Sequence, residues 1–207
     1  MGFYNTTILP VVLDLACGSK PIDKQRQKII PQARGEVVEI GIGSGLNLPH
    51  YDASKVTRVT GIDPDDAIWE KAAERATACD FPVERLGLSG ETLPLDDASA
   101  DTVVVTYALC TIPDPVAALR EMGRILRPGG EILFTEHGRA PDLGVARWQQ
   151  RIDPIWKRLA GGCHTGRDIP ALFDQAGLKL ARLEEMYIPG PKVLSYNYWG
   201  AAIRSSE

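Results

Sequence analysis

Several things are scarce in this chain, and each scarcity removes a class of function. No apolar run approaches the length of a membrane span, because Pro10 and Asp14 interrupt the nearest candidate. The start, MGFYNTTILP, lacks the basic residues of a secretory leader. There is no excess of positive charge: the formal balance is −4, which leaves no electrostatic footprint for nucleic acid and fits a small, weakly charged or apolar ligand better. Cysteine is limited to Cys17, Cys79, Cys110 and Cys163, too few for a disulfide scaffold and with no paired spacing of the zinc or redox-dithiol kind, so no metal is expected. A soluble protein of the reducing cytoplasm, with at most peripheral membrane contact, is the expectation. At 207 residues and 44% hydrophobic, the chain can bury one core of good size and little more.

What is present is an alternation. Short apolar runs at VVEI (37 to 40), TRVTGID (57 to 63), TVVVTYAL (102 to 109) and EILFTEH (131 to 137) read as strands. Between them, DAIWEKAAERATA (66 to 78) and DPVAALREMGRILR (114 to 127) carry helical spacing. Strand and helix in turn imply a parallel sheet wrapped on both faces. Beyond His137 the pattern predicts a helix over 142 to 160 broken or kinked near Pro154, a capped helix ending at Gly177, and two last strands pairing as an edge hairpin. Residues 1 to 34, with the helix-like KPIDKQRQKII, read as a helical cap or lid, and 35 to 207 as the main domain.

Two stretches compete to be the first strand and binding turn: VVLDLACGSKP (11 to 21) and EVVEIGIGSGLNLP (36 to 49). A ligand-binding turn needs glycine where the backbone bends sharply and approaches the ligand, and an acid at the end of the next strand for ribose hydroxyls. Gly41, Gly43 and Gly45, with Asp63 about twenty residues on, meet both needs. The earlier stretch offers Ala16, Gly18 and Lys20 at the matching places, so it is assigned to a helix or lid. The later pattern is G-x-G-x-G, with Leu46 where a dinucleotide fingerprint wants glycine. That disfavours a nicotinamide dinucleotide and favours a cofactor held through an amino-acid part.

Over about residues 35 to 140, VVEIGIGSG, VTGIDPD, SGETLPLDDASADTVVV and RILRPGGEILFTEH occur in an order that resembles the class I S-adenosylmethionine-dependent methyltransferases. The connection GLNLPHY, the strand end YALCTIPDP and IDPIWKRLAGGCHTGRD look like the small-molecule group that includes the alkyl-thiol methyltransferases. The resemblance implies an α/β, Rossmann-like, doubly wound and mostly parallel sheet of seven strands with helices on both faces. It also implies S-adenosyl-L-methionine as cofactor, held by Glu39, Gly41, Gly43, Gly45, Asn47, Asp63, Pro64, Ser89, Gly90, Glu91 and Tyr107. Glu39 would attract the ammonium group and Asp63 the ribose, with an N-cap as the alternative duty of Asp63. Many relatives have Asp where Ser89 stands, and serine is the weaker acceptor. Cys110 is a substrate-side or a core residue; Tyr4, Trp148, Trp156 and Trp199 are lid and pocket walls or core, with Tyr4 and Trp148 the substrate candidates. His137 and His164 are the candidate bases, and a helix start competes for His164. The expected reaction is methyl transfer to a small apolar acceptor, thiol sulfur first. Amines or phospholipid head groups, phenols or quinone precursors, and a noncatalytic cofactor-binding regulator are the alternatives.

Overall fold

The computed structural model describes residues 9–205. Its elements in chain order are α1 (Leu9–Cys17), α2 (Lys20–Ile29), β1 (Gly35–Ile40), β2 (Val56–Ile62), α3 (Asp66–Thr77), β3 (Val83–Leu86) and β4 (Ala100–Thr106). There follow α4 (Pro115–Ile125), β5 (Leu126–His137), α5 (Leu143–Leu159), α6 (Ile169–Gln175), β6 (Leu178–Tyr187) and β7 (Tyr196–Arg204). One seven-stranded sheet has the order β3-β2-β1-β4-β5-β7-β6. The first five strands pair in parallel, and β7 enters antiparallel between β5 and β6, so the expected edge hairpin forms.

Alternation along the central strands sends side chains to two cores. Val103 and Val105 of β4 and Ile132 and Phe134 of β5 face α4 and α6, where the Phe134 and Phe173 rings lie 4.6 Å apart. Val104 and Leu133, one residue out of phase, face Ile29 and Ile30 at the end of α2 together with Trp199. Trp199 is therefore a core residue. The end of α2 contributes to the same packing, since Ile29 and Ile30 are fully buried there.

Residues 11 to 14 lie in α1 and not in the sheet, so the earlier of the two glycine stretches is helical, as assigned. Three details depart from the sequence reading. Strand β3 was not foreseen, because VERL is four residues long and only half apolar. Strand β4 stops at Thr106 and not Leu109, since Tyr107 adopts φ +52° and turns the chain away. Helix α5 runs through Pro154 without breaking: Pro154 is exposed, and it costs the helix one hydrogen bond on its outer side. No described helix is long and apolar enough to cross a membrane.

Phe134 is fully buried at the contact of β5 with α6. Phe134→Ala is expected to destabilise the protein by about 3–5 kcal/mol through the cavity it leaves. Urea unfolding should show a lower midpoint at an unchanged slope; a midpoint equal to wild type would place the ring outside the core.

Candidate functional site

At the C-terminal ends of β1, β2 and β4 opens a cavity of about 460 Å³. This is where a doubly wound sheet leaves a crevice for ligands. Its floor is the turn after β1. Gly41 and Gly43 have φ of +72° and +52°, and a Cβ on Gly41 would come within 2.6 Å of that of Ala108. Position 41 therefore requires glycine, and the left-handed backbone at 43 favours it. Gly45 turns in the same sense but does not line the cavity; it lets Ala72 of α3 approach the turn, where a Cβ would stand 3.2 Å from the Ala72 methyl.

Asp63, just past β2, closes this turn. One carboxylate oxygen accepts the Gly43 N–H at 2.9 Å and the other the Asp65 N–H at 2.9 Å. The N-cap of α3 is Asp65, which accepts from the Ala67 and Ile68 N–H groups, so the alternative duty considered for Asp63 falls to its neighbour. Arg85 of β3 fixes the Asp63 carbonyl through Nε and Nη2, at 3.0 and 2.7 Å. Burial raises the Asp63 carboxyl above its ordinary pKa, while the two N–H groups pull it back.

Glu39, the penultimate residue of β1, is 1% exposed. It accepts the Asn47 Nδ2 at 2.9 Å and the Tyr51 hydroxyl at 2.7 Å. Burial pushes its carboxyl up to about 7, and those two hydrogen bonds limit the rise. Asn47 also donates to the Thr106 hydroxyl at 3.0 Å, and its own Oδ1 is buried without a partner. An acceptor so placed calls for a donor from the ligand. Pro64, Ser89, Gly90 and Glu91 line the same cavity, and Glu91 ties its rim by accepting the Asp114 N–H at 2.8 Å. Tyr107 forms the wall toward β7, its hydroxyl donating to Asn197 Oδ1 at 2.6 Å.

Among the wall residues that have no counterpart in the sequence candidates are Asp14 and Cys17 of α1 and Arg26 of α2. Asp14 accepts a short hydrogen bond from the Ser44 hydroxyl and faces Lys71 and Arg75 at 3.8 and 3.7 Å. The acid that made residues 11 to 21 look like a binding turn thus clasps the real one. Arg26 donates to the Cys17 carbonyl at 2.5 Å and lies 5.2 Å over the Tyr107 ring. Leu46, Ile112 and Pro113 add apolar surface to the wall, and Thr106 and Thr111 add hydroxyls.

Tyr4 falls outside the described residues. Four more candidates, Trp148, His164, His137 and Cys110, do not line the cavity. Trp148 is 57% exposed on α5, beside Arg151, and does not reach the cavity. His164 bonds Asp153 at 3.0 Å in a separate surface hollow, and burial lowers its pKa. His137 ends β5 on the ligand side of the sheet, yet its imidazole turns from the cavity: Nε2 stands 3.3 Å from the Cys163 sulfur, and the Tyr107 ring stacks against it at 6.4 Å. Cys110 is buried in the same group, and hydrogen bonds from Cys163 and His137 hold its thiol below the ordinary range despite burial. Glu136, also buried, accepts the Ala108 and Leu109 N–H groups at 2.8 and 3.0 Å and so shapes the loop after β4. It went unnoticed in the sequence because it sits inside an otherwise apolar strand.

A methyltransferase domain matches residues 38–134. The chain is 33% identical to human thiol S-methyltransferase TMT1A over 164 residues, 77% of this chain and 66% of that protein. It is also 33% identical to rat thiol S-methyltransferase TMT1B over 153 residues, 72% of this chain and 62% of that one. The matches thus span just under two thirds of these relatives' length. The solved structure of a Leishmania major S-adenosylmethionine-dependent methyltransferase superposes with a TM-score of 0.71 at 17% identity, covering 96% of this chain and 80% of its own. The domain match and the one-third identity support a class I S-adenosylmethionine-dependent methyltransferase near the thiol methyltransferases, and the superposition shows the fold of such an enzyme.

Proposed function

We propose that the protein transfers a methyl group from S-adenosyl-L-methionine to the sulfur of a small, apolar thiol. The observation that carries this reading is a cavity whose lining joins hydrogen-bonding acids around the glycine turn to apolar residues and one cation, Arg26, and includes no imidazole among the described residues. The bound cofactor supplies an electrophilic methyl on a sulfonium. The chain's own residues bind and orient. Asn47 Oδ1 and ionised Glu39 receive the ammonium end, and Asp63 has lone pairs left for ribose hydroxyls after serving Gly43 and Asp65. Ser89 and Glu91, which line the same cavity, are assigned to the adenine end.

An acceptor that must lose a tightly held proton needs a base on the wall. His137 faces Cys163 instead, behind Tyr107. A thiol loses its proton near neutral pH without such help, and Arg26 favours the thiolate. Position and exclusion of water then do most of the work. Helix α1 is the lid in this reading, latched by Asp14 to Ser44, with Val11, Val12 and Leu15 exposed on its outer side. Four unbridged cysteines support a reducing, cytoplasmic setting.

A screen with methyl-labelled cofactor should label small apolar thiols well above amines and phenols. Its rate should climb with pH toward the thiol pKa, about 8.5 for a free thiol, and then level. Preferential labelling of amines would move the function to the runner-up class, and cofactor binding without turnover on any acceptor would leave a regulator. Hydrogen exchange at residues 9 to 17 and 41 to 47 should slow on adding cofactor; no change over 9 to 17 would remove the lid.

Glu39 gives a signed pH prediction. Its folded pKa, about 7, exceeds the usual carboxyl value. Its contribution to the stability of the free protein is thus fully present below the unfolded pKa and fades as pH rises through 7. Cofactor affinity should run the opposite way, since the ammonium needs the carboxylate. The Kd should be flat above about pH 7 and weaken below it by up to about tenfold per unit. Glu39→Gln should bind about 1–3 kcal/mol more weakly with no such slope. Calorimetric titration from pH 5.5 to 8 decides; parallel profiles for mutant and wild type would dismiss the assignment.

A further inference from the structure

Three residues that the sequence keeps far apart converge beside the cavity. Cys110 in the loop after β4, His137 at the end of β5 and Cys163 after α5 place their ligand atoms within 4.8 Å of one another. Among the described residues no other three His, Cys, Asp or Glu side chains meet this closely. We propose that Cys110, His137 and Cys163 form a binding site for a thiophilic divalent ion of the zinc type, with one coordination position left to a non-protein ligand.

The donor set is the first argument. Two thiols and an imidazole are soft to borderline ligands, suited to zinc and unsuited to magnesium or calcium. Spacing is the second. Tetrahedral zinc with bonds of about 2.0–2.3 Å puts its ligand atoms roughly 3.5–3.8 Å apart. The 3.3 Å between Cys163 Sγ and His137 Nε2 is close to this already. The third is rigidity, for each ligand is held by a separate element. Glu136 fixes the Ala108 and Leu109 N–H groups just before Cys110, and Arg167 binds the carbonyls of Leu109 and Ile112 on either side of it. The His164 N–H donates to the Cys110 carbonyl at 2.9 Å, joining the two cysteine segments. His137 is held by the β5 ladder and by the Tyr107 stack.

Three protein ligands are the number found where a metal keeps an exchangeable position. The site lies one layer behind the cavity wall: Tyr107 and Thr111 line the cavity, and the Thr111 hydroxyl is 3.4 Å from the Cys110 sulfur. The inference does not depend on which acceptor the cavity takes.

The full chain, stripped of metal and kept reduced, should be titrated with cobalt(II) alone and then with zinc(II). One cobalt per chain should bind with a thiolate-to-cobalt charge-transfer band and tetrahedral visible bands, and zinc should displace it. Cys163→Ser and His137→Gln should each weaken binding by more than about tenfold, the loss that removing even an outer partner of a metal ligand brings. Cys79→Ser should titrate as wild type. Cys110 is buried, so Cys163→Ser and His137→Gln, checked by near-ultraviolet circular dichroism for a native fold, decide if Cys110→Ser fails to fold. The proposal is overturned if no saturable signal appears, if it survives in both variants, or if Cys110 and Cys163 prove to be joined as a disulfide under these conditions.

Discussion

The carboxylate of Asp63 bridges two backbone N–H groups, Gly43 in the turn after β1 and Asp65 at the head of α3. Two parallel neighbouring strands end at this bridge, and it sets the distance between the loops that follow them. The glycines make the turn sterically allowed, but a glycine-rich turn is also the segment with the most conformational entropy to lose. A charged acceptor for the Gly43 N–H offsets part of that loss. Everything that forms the cavity is placed relative to this turn: Ser44 is clasped by Asp14 of α1, Gly45 admits α3, and Asn47 turns inward to Glu39.

Two other buried acids do comparable work at higher electrostatic cost. Glu39 and Glu136 lie near the ends of β1 and β5, on either side of β4, and burial pushes them up to about 7 and about 8. Neither has a direct ion pair among the described residues; Glu39 is held by Asn47 and Tyr51, and Glu136 by two backbone N–H groups. A buried carboxylate with incomplete partners destabilises the resting protein unless it is protonated. At Glu39 the deficit faces the cavity, next to the partnerless Asn47 Oδ1, so a cationic ligand relieves it. Strain of this kind near a cavity converts ligand charge into affinity. Glu136 has no such outlet, and its role is to hold the loop that carries Ala108, Leu109 and Cys110.

The sheet was legible because its signals are local. Runs such as TVVVT and EILFT are β-branched or apolar, and helical spacing between them leaves few arrangements. The glycine turn and Asp63 were legible for the same reason, since backbone geometry dictates residue type at fixed spacing. What stayed hidden is set by tertiary contact. Strand β3 exists because β2 offers it an edge, not because VERL has strand character. Arg26 reaches the cavity only because α2 lies across β5 and β7, and helix periodicity cannot say which sheet face a cap will take. The position of His137 at the end of β5 is readable from the strand pattern, but its rotamer, and so its chemistry, depends on Tyr107 and Cys163.

Residues 11 to 21 show how a local likeness can mislead about structure and still mark a functional place. An acid after an apolar run, followed by a small-residue turn, reads as a strand end in sequence; in the fold Asp14 sits on a helix and its carboxylate meets Ser44, Lys71 and Arg75. The same residue type serves because both settings ask for an acceptor facing several donors at one glycine turn. The cysteines give the converse case. Cys110 and Cys163 are separated by two helices' worth of chain, a spacing that excludes a local metal motif and says nothing about a site assembled by the sheet. Such a site becomes visible only when β4, β5 and the segment after α5 are set side by side, and there the loop order held by Glu136 and Arg167 fixes which sulfur meets which nitrogen.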